Sequence, residues 1–552
     1  MLNKKSIVTF VVSLVLSGAM YAQPKPVSGV AANDIQAKFA ESNGPACPKL
    51  ASLRTLPTNQ TLFELYQRRD FVAQWQAPEV MAALRHELLK LADDGLILGD
   101  YSYALNAEPA AEACDELRIS SEYLLALEHL SRGRMSQASF QRQWHDAAVL
   151  PARPSNLVDL ALSGLQNVQT AFDGARPALP LYRELRIAYR QMDKQPAAQQ
   201  TIPSGLTIKP DREDPRIPML VQRLQAEGYL AKSRDSQSET GPLRYEEDIE
   251  EAIIHFQADH GLQADGVVGE QTLDALNISP LQRLDQVRIN LERLRWLDSQ
   301  RNDYMLLVNI AGGDIWLYRG QEIIWQSKVM SGRPERPTPA LISRINRITL
   351  NPSWTVPPTI FKEDKLPQIR RNPTFLQQNN LQVMDTQGRA IDPEKVNWNN
   401  PVGIMLRQPP GPSNPLGKIA LRFQNPFSIY LHDTPSQNLF EKSARNVSSG
   451  CVRVQDVAGL ASHLLAEKSE TELKQIALLQ ESGKTHEITL SNGPQLVISY
   501  WTAETASNGR VKYLRDPYNM DHALMSAFGE LDTAYRTLAQ KIPARVADVC
   551  SR

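Results

Sequence analysis

Near residue 300 the hydrophobic period of the chain changes from that of a helix to that of a strand, and one fold cannot accommodate both halves. Before that point apolar residues recur at helical spacing. Met81 to Leu91 (MAALRHELLKL) is one such run, stopped by Asp93-Asp94-Gly95, and Tyr123 to Leu130 and Leu157 to Leu162 are others. After it, Tyr304 to Ile310, Asp314 to Tyr318 and Ile323 to Met330 are short β-branched and aromatic runs. Gly312-Gly313 and Arg319-Gly320 punctuate them as hairpin turns. Further strands are expected at Arg347 to Leu350, Ile419 to Phe423, Ser428 to His432, Glu487 to Leu490 and Leu496 to Tyr500.

A chain of 552 residues is too long for a single core, so three or four domains are expected. The fold class is multidomain α+β. A helical scaffold spans residues 33–210, joined by a helical tail at 520–550 that packs back on it. A separate small unit spans 211–280. There Ile217, Leu220, Val221 and Leu224 mark a first helix, Ile249, Ala252, Ile253 and Phe256 a second, and Thr272, Leu273 and Leu276 a short third. The polar run Lys232 to Gly241 reads as a loop between the first two. A helical linker, Leu281 to Leu297, leads into a mostly β domain assigned to 285–518. That domain is interrupted at about 359–400 by a polar, non-alternating stretch containing KEDKLPQIRRNPTFLQQNN, expected to form a capping lid or subdomain.

Composition excludes more than it selects. A formal net charge of −1 gives no electrostatic grip on nucleic acid, and none is expected as a partner. Residues 1–22 read as a cleaved secretory signal, with Lys4 and Lys5, an apolar run from Ile7 to Leu16, and small residues ending at Ala22. The chain is therefore expected in the periplasm. Export changes how the four cysteines, Cys47, Cys114, Cys451 and Cys550, are read. They form no CxxC pair, and four cysteines allow three complete pairings. If Cys451 stays free for chemistry, Cys47 with Cys114 is the expected disulfide.

The stretch Tyr430 to Val454, YLHDTPSQNLFEKSARNVSSGCVRV, concentrates reactive groups. A thiol attacks only as thiolate, and a histidine within reach supplies the base it needs. The competing reading is a buried structural cysteine near a surface histidine. Rival chemistries find no foothold. The sequence contains no Ser-x-x-Lys, no GxSxG and no HExxH, and Leu478 stands where a phosphate loop ending at Gly483-Lys484-Thr485 needs its first glycine. No metal and no cofactor are expected. His86, His129 and His145 are expected to serve packing.

Two sets of residues resemble known families. FQADHGLQADGVVGEQTLDAL, from Phe256 to Leu276, resembles the three-helix peptidoglycan-binding module of wall enzymes. His432 followed by Ser448, Gly450, Cys451 and Arg453 resembles the signature of the L,D-transpeptidases with a YkuD-type catalytic domain. The domain order resembles the long periplasmic, YcbB-like branch of that family. The resemblance implies Cys451 as nucleophile, His432 as general acid and base, and backbone N–H groups at Gly450 and Cys451 for the oxyanion. It implies 3→3 cross-linking of diaminopimelate residues between peptidoglycan tetrapeptide stems, the donor and acceptor partners, and acylation of the cysteine by carbapenems. Other wall-synthesis enzymes are candidate partners, and the sequence leaves the oligomeric state open. Arg453, Ser448, Ser449, Tyr430 and Trp354 are candidate substrate-binding residues. Arg453 would pair with a stem carboxylate or steady the turn, Tyr430 would border the pocket or enter the core, and Trp354 would sit beside the donor site or be structural. Shorter members carry histidine where this chain has Ser449, which leaves open the group that orients His432. Hydrolysis or D-amino-acid exchange on the same stems is the enzymatic alternative. A non-catalytic wall-binding scaffold is the alternative of another class.

Overall fold

The structure, a computed structural model, describes residues 29–40, 47, 59–146, 157–192, 199–231, 244–299, 302–506 and 508–529. The stretch 1–22 read as an export signal, the run 232–241 read as a loop, Cys550 and most of the expected helical tail at 520–550 lie outside the described residues.

The amino-terminal region is built on the 20-residue helix Ala113–Arg132, buried along most of its length among Leu84, Leu88, Tyr101 and Phe172. Its buried carboxylates are matched to donors, as buried charge requires. Glu116 accepts from Tyr66 Oη at 2.9 Å and from the N–H groups of Gln74 and Trp75, and Glu122 accepts from Ala104 N at 2.7 Å. A disulfide joins Cys47 to Cys114 across a sequence separation of 67. His129 is 5% exposed and bonds Tyr101 Oη at 2.8 Å through Nδ1, a packing role. The region is not purely helical, because β1 (Gln143–His145) leaves it to pair with the β domain.

In the small unit, helices Ile217–Ala226, Glu247–Asp259 and Glu270–Leu276 enclose a core of Leu220, Leu224, Ile249, Ile253 and Phe256. Each such apolar side chain contributes roughly 1.5–3 kcal/mol on burial. Gln257 is the polar hub. Its amide nitrogen reaches Asp265 Oδ1, Val267 O and Thr272 Oγ1, and its oxygen accepts from the N–H groups of Asp265 and Gly266. The Phe-Gln and Asp-Gly signals are thus one hydrogen-bonded unit that holds the second helix to the turn before the third.

The expected linker is a buried spine. Helix Pro280–Asp298 opens with a capping box between Ser279 and Gln282 and is enclosed on nearly every face. Its polar residues bind the regions around it. Asn290 Nδ2 donates to Thr502 Oγ1 at 2.9 Å, Arg293 pairs with Asp521 at 2.5 Å, and Arg295 pairs with Glu292 at 2.7 Å. Glu292 in turn accepts from Met135 N at 2.5 Å. Residues 521–529 are helical, and Leu524 and Phe528 pack against Ile97 of the scaffold and Ile289 and Trp296 of the spine.

The β domain contains β2 (Tyr304–Asn309), β3 (Asp314–Arg319), β4 (Glu322–Gly332) and β5 (Ala340–Leu350), then β6 (Trp354–Thr355), β7 (Gln382–Asp385) and β8 (Ile404–Gln408). There follow β9 (Ile419–Phe423), β10 (Leu431–His432), β11 (Asn446–Ser448), β12 (Val452–Val454), β13 (His486–Thr489) and β14 (Gln495–Ser499), and the hairpin β15 (Ala503–Thr505) with β16 (Val511–Tyr513). The main sheet runs β1-β5-β14-β2-β3-β4-β12-β10-β9, and β9 pairs again with β5, so the sheet closes on itself. Closure is possible because β5 is long and irregular: residues 341–344 pair with β14 and 345–350 with β9. The core inside holds Leu306, Val308, Leu421, Leu431, Val452 and Val454.

The polar interruption folds as a subdomain with its own core. Strands β6, β8 and β7 form a three-stranded sheet against helix Leu366–Arg371, burying Ile369, Phe375, Leu376, Val383 and Leu406.

Candidate active site

Strand register assembles the site. β10 lies parallel to β12, with Leu431 opposite Val452 and His432 opposite Arg453, and antiparallel to β9, with Leu431 opposite Leu421 and His432 opposite Ala420. Leu431, Val452 and Leu421 are buried in the core. Alternation therefore turns Tyr430, His432, Cys451, Arg453 and Arg422 to the opposite face. His432 and Cys451 stand diagonally across two adjacent strands, about 8 Å apart at Cα by strand spacing and rise. No hydrogen bond joins the two side chains among the described residues. Catalytic hydrogen bonds are often open before substrate binds.

The loop before the cysteine is tied from within. Gly450 has φ +115, a conformation that favours glycine, although a Cβ would find ordinary contacts there. Ser448 Oγ donates to Cys451 O at 2.6 Å and accepts from Gly450 N at 3.1 Å. The Gly450 N–H expected to face an oxyanion is therefore engaged, while the Cys451 N–H makes no hydrogen bond among the described residues. Thr338 Oγ1 donates to Gly450 O at 2.9 Å and accepts from Gly332 N at 2.8 Å, bracing the loop against the end of β4.

The electrostatics favour a neutral pair at rest. Burial holds His432, 4% exposed, down to about 3, and the Arg453 and Arg422 guanidiniums push the same way. Burial pushes the Cys451 thiol up, partly offset by a backbone hydrogen bond from Tyr430 and by Arg422 and Arg453. His432 Nδ1 lies 2.5 Å from Asp433 O. That carbonyl can only accept, so Nδ1 carries the proton and Nε2 is left as the acceptor that can serve as base. Asp433 is itself fixed. Its carboxylate accepts from Lys418 N at 2.9 Å and Thr434 N at 2.7 Å. It also packs so tightly on Gly417 (φ +59) that a methyl there would overlap its carboxylate.

Arg453 is half-buried, its Nε is buried without a hydrogen-bond partner, and burial holds its guanidinium below the ordinary range. Tyr430 lies against His432, ring centroids 5.7 Å apart, with burial and then Cys451 raising its hydroxyl to about 12. Arg422, which sequence reasoning missed, lies 4.0 Å from the centre of the Tyr430 ring and donates through Nε to Thr349 Oγ1 at 3.4 Å. Its signal was present as a lone charge in the otherwise apolar run Ile419 to Phe423, on the same alternation as the site.

Ser449 touches the cap, and Trp354 belongs to it. Ser449 Oγ accepts from Arg336 Nη1 at 3.3 Å, and the same guanidinium holds Asp364 at 2.6 Å and Glu363 at 2.6 Å. Hydrogen bonds from Arg336 hold the Asp364 carboxyl below its ordinary range. Trp354 packs on the subdomain core with Lys365 Nζ 5.7 Å from its ring.

Three family models match the chain in succession. Residues 60–188 match the scaffold domain, 213–276 the "Putative peptidoglycan binding domain", and 303–475 the YkuD L,D-transpeptidase catalytic domain. A protein of Haemophilus influenzae named "Putative L,D-transpeptidase" is 32% identical over 242 residues, which are 43% of this chain and 48% of that protein. The chain thus spans about half the length of this curated relative. Among solved structures, an L,D-transpeptidase from Mycobacterium smegmatis is 12% identical, with coverage of 36% of this chain and 58% of that one and a TM-score of 0.18. One from Xylanimonas cellulosilytica is 14% identical, covering 54% and 98%, with a TM-score of 0.16. The face that carries Cys451 and His432 lies within residues 303–475, the segment that matches the YkuD L,D-transpeptidase catalytic domain, and the matches to a scaffold domain and a peptidoglycan-binding domain precede it.

Proposed function

We propose that the protein is a periplasmic L,D-transpeptidase that forms 3→3 cross-links in peptidoglycan through a thioester on Cys451. The observation that carries this reading is the parallel pairing of β10 with β12, which turns His432 and Cys451 to one face beside Arg453. With both groups neutral at rest, proton transfer accompanies attack. His432 Nε2 takes the thiol proton as Sγ adds to the carbonyl between the L-centre of diaminopimelate and D-alanine. The Cys451 N–H donates to the oxyanion, a donor of a kind worth about 10²–10³-fold. Collapse breaks the C–N bond, and the imidazolium returns the proton to the departing D-alanine amine. The amine of a neighbouring diaminopimelate then attacks the thioester, gives its proton to Nε2, and the thiolate leaves and is reprotonated. Arg453, which forms no ion pair with a carboxylate among the described residues, suits a stem carboxylate. The Cys47–Cys114 disulfide supports an oxidising compartment and so an exported chain.

The test is incubation with purified tetrapeptide muropeptides followed by mass spectrometry. Wild type is expected to yield dimers with loss of D-alanine, and His432→Gln to lose about 10²–10⁴-fold of that rate. Monomeric tripeptide as the sole product would assign hydrolysis instead. Equal product from Cys451→Ala would overturn the mechanism. A carbapenem is expected to add its mass to Cys451.

A further inference from the structure

A cleft of about 880 Å³ opens where the scaffold, the peptidoglycan-binding domain, the spine helix and the β15–β16 hairpin meet, and none of its lining residues lies on the strands carrying Cys451 and His432. Three guanidiniums converge on it: Arg223, Arg283 and Arg510. Arg223 is only 6% exposed. Its Nη2 donates to Gln200 O at 3.0 Å, and its Nη1 is buried with no hydrogen-bond partner among the described residues. Arg283 lies 4.4 Å from the centre of the Tyr513 ring, and Arg510 lies 4.6 Å from that of Tyr229.

The one carboxylate lining the cleft is Glu227, and among the described residues it forms no ion pair with any of the three arginines. Glu227 is itself exposed to solvent, and the protein packed around it raises it to about 7, with Arg223 and Arg283 opposing. Other titratable groups do not restore the balance. His260 is held down to about 3 by burial, and Asp259 is engaged by the Tyr229 hydroxyl at 3.1 Å. A buried, unpaired guanidinium costs free energy unless an anion completes it. The volume falls within the roughly 300–1,000 Å³ of small-ligand sites, far more than a simple ion fills. Side-chain amides of Gln199, Gln200 and Gln222 line the wall, and Gln199 Oε1 is buried without a partner. Amides beside arginines match a peptide backbone that ends in a carboxylate.

We propose that this cleft binds the carboxylate end of a short peptide, held by Arg223 and Arg510 and lying along Tyr229 and Tyr513. The proposal stands apart from the transpeptidase reading, since none of the residues lining the cleft belongs to the active site and its occupancy is measured without turnover. Occupancy would join the peptidoglycan-binding domain to the spine and the hairpin.

The experiment is calorimetric titration of the full chain, as the Cys451→Ala variant, with N-acetyl-trialanine as free acid and as carboxy-terminal amide. The acid is expected to bind at one site and the amide about tenfold more weakly or worse, as loss of a charge-assisted hydrogen bond requires. Arg223→Gln and Arg510→Gln are each expected to weaken the acid about tenfold. The acid should bind more tightly at pH 6 than at pH 8, because Glu227 ionises between them, and Glu227→Gln should remove that difference. Arg510 lies at the rim, so Arg510→Gln and Glu227→Gln decide the matter if Arg223→Gln fails to fold. Absence of binding, equal binding of acid and amide, or binding unchanged by Arg510→Gln overturns the proposal. Inorganic phosphate displacing the peptide at equal concentration overturns it in favour of a bare anion site.

Discussion

Arg422→Gln isolates what the second guanidinium does for the nucleophile. In the register of β9, β10 and β12, Arg422, Tyr430 and Cys451 follow one another across three strands. Two strand spacings separate Arg422 from Cys451 by about 9.6 Å at Cα, with the Arg422 side chain laid over the Tyr430 ring between them. A unit charge at that distance in an effective dielectric of about 20 is worth roughly 1.7 kcal/mol, or about one pKa unit on the thiol. The sign follows from the charge. Arg422 favours the thiolate, so its removal raises the Cys451 pKa further above its ordinary value. The assay is the pH dependence of iodoacetamide alkylation, read by mass spectrometry of the Cys451 peptide. Cys47 and Cys114 are protected as the disulfide, and the Cys550 peptide is resolved separately. Alkylation at pH 7 should slow by about tenfold in Arg422→Gln and by less in Arg422→Lys, which keeps the charge. An unchanged alkylation profile in a folded Arg422→Gln would refute the electrostatic role and leave Arg422 as a packing residue over Tyr430.

Gly417→Ala should lower turnover by about 10²-fold while leaving the carbapenem-free thiol count unchanged, because the added methyl displaces Asp433 and with it the carbonyl that aims His432. Normal turnover in a folded Gly417→Ala would sink that account. Cys114→Ser should destabilise the scaffold by about 4 kcal/mol in urea melts, the loop-closure value for a separation of 67 residues. A change below about 1 kcal/mol would mean the scaffold core alone holds this segment. His260→Gln should flatten the acid loss of stability relative to wild type. Burial holds His260 to about 3 when folded, against an ordinary 6.5, so the unfolded chain alone takes up its proton as pH falls between those values. The difference between the two proteins should grow by up to about 1.4 kcal/mol per pH unit over that window, measured by melts at pH 7, 6, 5 and 4, and parallel curves would refute it.

What the sequence made legible follows from where packing is local. The first three strands of the β domain and β9 emerge at the expected places, since each carries strong β propensity between turn signals. Among the strands that escaped, three owe their stability to distant partners. β1 is three residues long and exists only against Ala340 to Ile342 of β5, nearly two hundred residues away. β11 and β12 are equally short, and Gly450 hides their boundary. The helix Glu470–Glu481 was legible and overlooked, since Ser469 and Glu472 form a capping box. The spine helix misled differently. It was expected only as a helical linker, yet its polar residues Asn290, Glu292, Arg293 and Arg295 are buried and matched to partners from three regions. Periodicity reports polarity, and it cannot distinguish solvent from a protein partner.

The active site shows the same division, and it bears on how the base is aimed. A lone histidine and cysteine nineteen residues apart mark a candidate pair, but their common face depends on a parallel register that no local pattern encodes. Ser449 stands where shorter members carry histidine, and in this chain it is committed elsewhere, accepting from the Arg336 guanidinium that clamps Glu363 and Asp364 of the cap. The imidazole is aimed by the backbone of the next residue, Asp433, whose position depends on Gly417 and on the N–H groups of Lys418 and Thr434. A backbone carbonyl selects the same tautomer as a carboxylate while adding no negative charge beside a buried imidazole already held neutral by burial and two arginines. His432 is thereby kept as a neutral base at mildly acidic pH. The acid limb of the rate profile should therefore fall well below 6.5, and a limb near 6.5 assigned to His432 would refute the arrangement.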